Sequence, residues 1–131
     1  MSDKLAGVHP KLAARARQIQ MTMTGLGFVM IVTDGVRTVE EQQKLYAQGR
    51  TAPGKIVTNA DGVRNKSNHQ VKADGFGHAV DMTFLDRNGR PSWDESYPWA
   101  LYGELAKALG LKWGGDWTSP DRPHIELPEV S

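Results

Sequence analysis

The stretch from Gly49 to Gly77 is polar and glycine-rich, with neither helical nor strand periodicity. A loop that long inside a compact domain is usually functional or disordered. The rest of the chain must therefore build its core around it. A chain of 131 residues suits one domain, residues 1–131, and no repeat or second boundary interrupts it. A domain of this size buries roughly two-thirds of its unfolded-state surface, enough to fold without staples. That matters because there are no cysteines. Disulfides, thiolate nucleophiles and zinc-finger sites are excluded together. Any metal site must use His, Asp and Glu.

On either side of the loop the periodicities are clear. Leu12, Ala13, Ala16, Ile19 and Met23 recur at helical spacing, predicting a helix from Pro10 to Gly25. Proline suits its first turn, and Gly25 with Gly27 stops it. An apolar run from Phe28 reads as a buried strand ending at Asp34-Gly35. Thr38 with Glu41 three residues on forms a capping box for a second helix, whose buried face falls to Leu45 and Tyr46. From His78 to Leu85 the pattern alternates, with Val80, Met82 and Phe84 on one face and Ala79, Asp81 and Thr83 on the other. Asp86 to Gly89 is a turn. Pro98 to Leu109 predicts a third helix with Leu101, Leu105 and Leu109 on its apolar face. Leu111–Trp113 and His124–Leu127 are strand-like. The mixture lacks regular βαβ alternation, so the expected class is α+β: a small, largely antiparallel sheet with about three helices.

The chemistry rests on few residues. A catalytic zinc wants three protein ligands and one open position. Without cysteine, two histidines and a carboxylate are the natural set. Asp81 faces away from the apolar side of its strand. His124, alternating with Ile125 and Leu127, does the same, and Glu126 shares its face. Taken alone, each reads as a water-facing strand residue. His69 lies in the polar loop beside Ser67 and Asn68, and His9, before Pro10, reads as a surface residue.

Taken together, these residues form a pattern. Ser67-Asn68-His69 followed by Gly77-His78-Ala79-Val80-Asp81 resembles the signature of the D-alanyl-D-alanine carboxypeptidase and L-alanyl-D-glutamate peptidase family, which includes VanY-like enzymes and many phage endolysins. Asp121-Arg122-Pro123-His124 resembles the family's closing segment, and Trp113-Gly114-Gly115-Asp116-Trp117 the approach to it. Upstream, Asp34-Gly35-Val36-Arg37-Thr38 with Glu41, Gln42, Leu45, Tyr46 and Gly49 resembles the Gly-x-Arg segment and the helix after it. The resemblance spans residues 32–127. It implies a hedgehog/D,D-peptidase-like fold with a zinc cleft on the sheet. It further implies Zn2+ held by His69, Asp81 and His124, Asp121 as general base toward the attacking water, and Arg37 as oxyanion support. Ser67, Asp116 and Gln42 are candidates for touching substrate or orienting a ligand. Seven residues, Gln70 to Phe76, separate His69 from Gly77 where the family commonly has two, so His78 rivals His69 as a ligand. Strand alternation disfavours His78, since it and Asp81 face opposite sides.

The implied function is zinc hydrolysis of an amide bond in the peptidoglycan stem peptide, foremost as an L-alanyl-D-glutamate endopeptidase in phage or prophage host lysis. A D-alanyl-D-alanine dipeptidase or carboxypeptidase, a non-catalytic zinc-containing binding module and a purely structural zinc site are the alternatives. A formal charge of +1 gives no reason for a nucleic-acid partner. No apolar run approaches the roughly 20 residues that span a bilayer, and no signal-peptide core opens the chain. The expectation is a monomer that accumulates in the host cytoplasm and depends on a holin to reach the periplasm and cell wall.

Overall fold

In a computed structural model, which describes residues 4–58, 60–63 and 67–128, the helices and sheet pack around one apolar core. Helix α1 spans Pro10–Gly25 and buries Leu12, Ala13, Ala16, Ile19 and Met23, the stripe its 3.6-residue period dictates. His9 caps it, its ring Nδ1 accepting from the Lys11 N–H at 3.1 Å. Strand β1 follows at Met30–Asp34. Helix α2, Val39–Ala47, starts with the capping box read from Thr38 and Glu41, both reciprocal bonds being present.

Strand β2, Ala79–Leu85, is the centre of the sheet. It pairs antiparallel with β1 and with β5, His124–Glu126, which in turn pairs with β4, Lys112–Trp113. A two-residue strand β3, Pro91–Ser92, returns against the end of β2 across the Asp86–Gly89 turn. The order is β1-β2-β5-β4, with β3 on β2. Val80, Met82, Phe84 and Ile125 point into the core with α1 and with helix α3, Trp99–Ala108. Asp81, His124 and Glu126 occupy the other face, where Asn68 and His69 of the long loop meet them.

Two predicted faces shift. Helix α3 buries Trp99, Tyr102, Gly103 and Ala106, whereas Leu101 is 36% exposed and Leu105 and Leu109 only pack at the margin. The helix is turned by about one residue, roughly 100°, because its aromatic side chains take the core. Trp99 meets Phe84 edge-on at 4.9 Å. Gly103 lets the Trp113 ring lie on the helix, where any Cβ would come within 2.3 Å of the ring. In α2 the fully buried residue is Gln42, while Leu45 and Tyr46 are half-buried.

The polar loop contains no helix or named strand among its described residues but is well tethered. Gln42 Nε2 donates to Thr58 Oγ1 at 3.2 Å and to the Ala60 carbonyl at 2.8 Å. Gln70 Nε2 donates to the Gly62 carbonyl at 3.0 Å. At the far end Gly77 is held between Gly7 and His9 by two backbone hydrogen bonds. Among the described residues no helix is long and apolar enough to cross a membrane.

Candidate metal centre

β2 and β5 set Asp81 and His124 directly opposite each other in register. The third side chain comes from the loop. The Arg37 N–H donates to the His69 carbonyl at 2.8 Å, fixing the backbone of that turn. A register shift between Val32 and Asp34 bulges β1 and brings Asp34 opposite Asp81. Bulges commonly bend a strand beside a site, and this one leads into Gly35, whose carbonyl lies 2.9 Å from His69 Nδ1.

Three electron-pair donors converge there. His69 Nε2 lies 3.2 Å from His124 Nδ1. Asp81 Oδ1 lies 3.4 Å from the former and 3.2 Å from the latter. A tetrahedral zinc with bonds near 2.0–2.1 Å has ligand–ligand edges of about 3.3 Å. The outer nitrogen of each ring already faces an acceptor: the Gly35 carbonyl for His69, and Glu126 Oε1, at 2.7 Å, for His124. With a cation bound, the outer nitrogens would keep the protons and both inward nitrogens would turn lone pairs to it. Asp81 Oδ1 is buried and accepts no hydrogen bond. Among the described residues this is the group that could hold a metal ion. The donor set, its spacing and the orphaned oxygen all fit a zinc-type cation.

The charges agree. With no metal bound, burial alone would raise the Asp81 carboxyl, but the two imidazoles hold it well below the usual carboxylate range. Burial opposes charge on His124 as well, yet Asp81 and Glu126 outweigh it and lift the ring to about 9. A site that attracts a proton this strongly is a site built for positive charge.

The cluster forms the floor of a cleft of about 670 Å³, a size typical of ligand sites. Arg37 and Asp121 both line it. The Arg37 guanidinium pairs with Asp34 and donates to Gln42 Oε1 at 2.8 Å and Ser67 Oγ at 3.4 Å. It is thus held on three sides. Asp121 Oδ2 lies 3.9 Å from His124 Nδ1. Burial raises the Asp121 carboxyl, and the charge of Asp81 raises it further. Ser67 lines the cleft and accepts from the His69 N–H at 3.1 Å. Gln42 stands behind Arg37, fully buried, and does not line the cleft.

Two candidates lie elsewhere. Asp116 turns its carboxylate to Lys107 Nζ at 3.1 Å and does not line the cleft. His78, just before β2, bonds Asp74 at 2.7 Å, so part of the extra stretch after His69 holds the rival histidine off the cluster. Trp117 lines the cleft, its ring 4.9 Å from that of His124, while Trp113 packs against the core. The contact between Glu126 and His124 has no assignment in the sequence reading. Its available signal was the i, i+2 spacing that puts both on one strand face.

The D-alanyl-D-alanine carboxypeptidase family matches residues 61–127. The chain is 34% identical over 129 residues to the peptidoglycan L-alanyl-D-glutamate endopeptidase CwlK of Bacillus subtilis, covering 92% of this chain and 73% of that one. Among solved structures it resembles the L-Ala D-Glu endopeptidase ChiX of Serratia marcescens, with a TM-score of 0.65, 26% identity, and coverage of 95% and 84%. It shares its fold with a VanB-type D,D-pentapeptidase VanY solved with Zn(II), at a TM-score of 0.63, 19% identity, and coverage of 92% and 72%. The matched stretch contains the positions of His69, Asp81 and His124, and with the likeness to CwlK it shows that the chain belongs to the D-alanyl-D-alanine carboxypeptidase family of peptidases.

Proposed function

We propose that this chain is a zinc-dependent endopeptidase that hydrolyses the L-alanyl-D-glutamate bond of the peptidoglycan stem peptide. One observation carries the reading: His69 Nε2, Asp81 Oδ1 and His124 Nδ1 lie 3.2–3.4 Å from one another, the spacing of tetrahedral zinc ligands, on the floor of a cleft walled by Arg37 and Asp121. Zinc held by those three would supply Lewis acidity toward the scissile carbonyl and the attacking water. Asp121 takes the water's proton and returns it to the departing amine as the C–N bond breaks. Arg37, braced by Asp34, Gln42 and Ser67, offers fixed positive charge to the carbonyl oxygen as it gains negative charge.

The choice of bond is supported by the activity in the names of CwlK and ChiX. Digestion of purified sacculi tests it. Muropeptides with a new N-terminal D-glutamate are expected, with about one zinc per chain by elemental analysis. Release of D-alanine alone would overturn the endopeptidase in favour of a carboxypeptidase. The biological setting we assign, phage lysis through a holin-opened membrane, rests on the sequence reading. Co-expression tests it: lysis should need both proteins, and lysis by this chain without a holin would remove the dependence.

A further inference from the structure

His69 and His124 approach the cluster through different ring atoms, Nε2 for the first and Nδ1 for the second. A neutral imidazole carries one proton, and a ligand nitrogen must be the one without it. His69 is sorted by the Gly35 backbone carbonyl at its Nδ1. His124 has no such backbone acceptor at its outer nitrogen. Its Nε2 lies 2.7 Å from Glu126 Oε1 instead. The other carboxylate oxygen, Oε2, accepts from Asn68 Nδ2 at 2.7 Å. Asn68 immediately precedes His69, and its own carbonyl accepts from the His78 N–H at 2.9 Å at the start of β2. Glu126 is 6% exposed. One buried carboxylate thus joins the strand that carries His124 to the turn that carries His69. A carboxylate buried on a strand is unfavourable unless both oxygens are occupied, and here they are occupied by the two ligand-bearing segments.

We infer that Glu126 is the positioning residue of this centre. It holds the proton of His124 on Nε2, leaves the lone pair of Nδ1 for the cation, and through Asn68 keeps the His69 turn in register with β5. The inference rests on His69, Asp81 and His124 being the zinc ligands. Carboxylates that orient a ligand histidine typically govern metal affinity by 10–100-fold.

Zinc affinity, measured by competition with a chromophoric chelator, tests it without reference to turnover. Glu126→Ala is expected to weaken zinc by about 10–100-fold. Glu126→Gln should recover most of that loss. Its amide oxygen still accepts from His124 Nε2, and the Asn68 amide can turn to present its oxygen to the new NH2 group. Asn68→Ala should fall between them. Thermal midpoints of the metal-free variants separate weakened binding from unfolding. If Glu126→Ala does not fold, the other two variants and the wild type still decide the matter. In the zinc-loaded wild type, long-range proton–nitrogen NMR should find the His124 proton on Nε2. Zinc affinity of folded Glu126→Ala within twofold of wild type, or a His124 proton on Nδ1, would overturn the inference. A wild type that takes up no zinc would instead sink the ligand assignment itself.

Discussion

Tyr102 is fully buried, and its hydroxyl donates to the Pro123 carbonyl at 2.7 Å, one residue before His124. Tyr102→Phe removes one of that carbonyl's two donors, the Met82 N–H at 3.0 Å remaining, at a cost of about 0.5–1.5 kcal/mol. A lowered thermal midpoint with zinc still bound is the expected result, and an unchanged midpoint would dismiss the bond. Asp121 calls for the opposite pattern. It touches the cluster only at 3.9 Å, so Asp121→Ala should keep zinc content and stability while turnover on sacculi falls about 10²–10⁴-fold. Lysis at wild-type rate would remove its assignment as base. At this scale strand alternation was informative, because it depends only on neighbours in sequence. It put Asp81 and His124 on the open face and separated His78 from Asp81. What it could not reach were partners far along the chain, such as Lys107 for Asp116 and Glu126 for Asn68. A side chain's partner is decided by packing, and packing has no local signature.

At the scale of elements the same boundary appears. Helix α2 was legible to its first residue because a capping box is a contact within four residues. The face of α3 was not, since leucine periodicity competes there with Trp99 and Tyr102, and the larger rings take the core. β3 is two residues long and exists only through its pairing with β2, so nothing in its own sequence marks it. The segment from Trp113 to His124 is tight for a definable reason. A Cβ at Gly114 would lie 2.3 Å from the Asp121 carbonyl, whose residue also donates its N–H to the Gly114 carbonyl at 2.8 Å. Gly114→Ala must therefore push the Asp121 segment outward. Turnover should fall more than zinc affinity, because the 2.3 Å clash falls on Asp121 while the His124 Cβ, at 3.0 Å, has to give far less. Equal loss of both would mean that the strand itself had slipped.

For the molecule as a whole, the core and the metal cluster lie on opposite faces of one sheet. The apolar packing of α1 and α3 does not pass through His69, Asp81 or His124. Chelation should accordingly lower the thermal midpoint by several degrees rather than unfold the chain, in line with the roughly 2.7 kcal/mol that a ligand at a hundredfold over its Kd contributes. Unfolding on chelation would favour a structural zinc. The metal-free protein should also respond to pH. His124 is raised from 6.5 to about 9, so its contribution to stability is fully present below 6.5 and is lost as pH rises through about 9. A scan of the midpoint from pH 6 to pH 10 should fall in the chelated protein and stay nearly flat in the zinc-loaded one. Parallel curves would contradict the link between the raised ring and the cation.

The two histidines also differ in how inheritance can disturb them. The acceptor behind His69 is the backbone carbonyl of Gly35, and the one behind His124 is the side chain of Glu126. Codon changes can delete a carboxylate at one step, but no substitution deletes a carbonyl. The His69 acceptor can be reached directly only at Gly35, where a Cβ would meet the Lys4 carbonyl at 1.9 Å. Saturation mutagenesis should thus find intolerance behind His69 narrowed to a glycine and spread behind His124 over a chemical class. Graded loss of metal will come from position 126, and abrupt loss of fold from position 35.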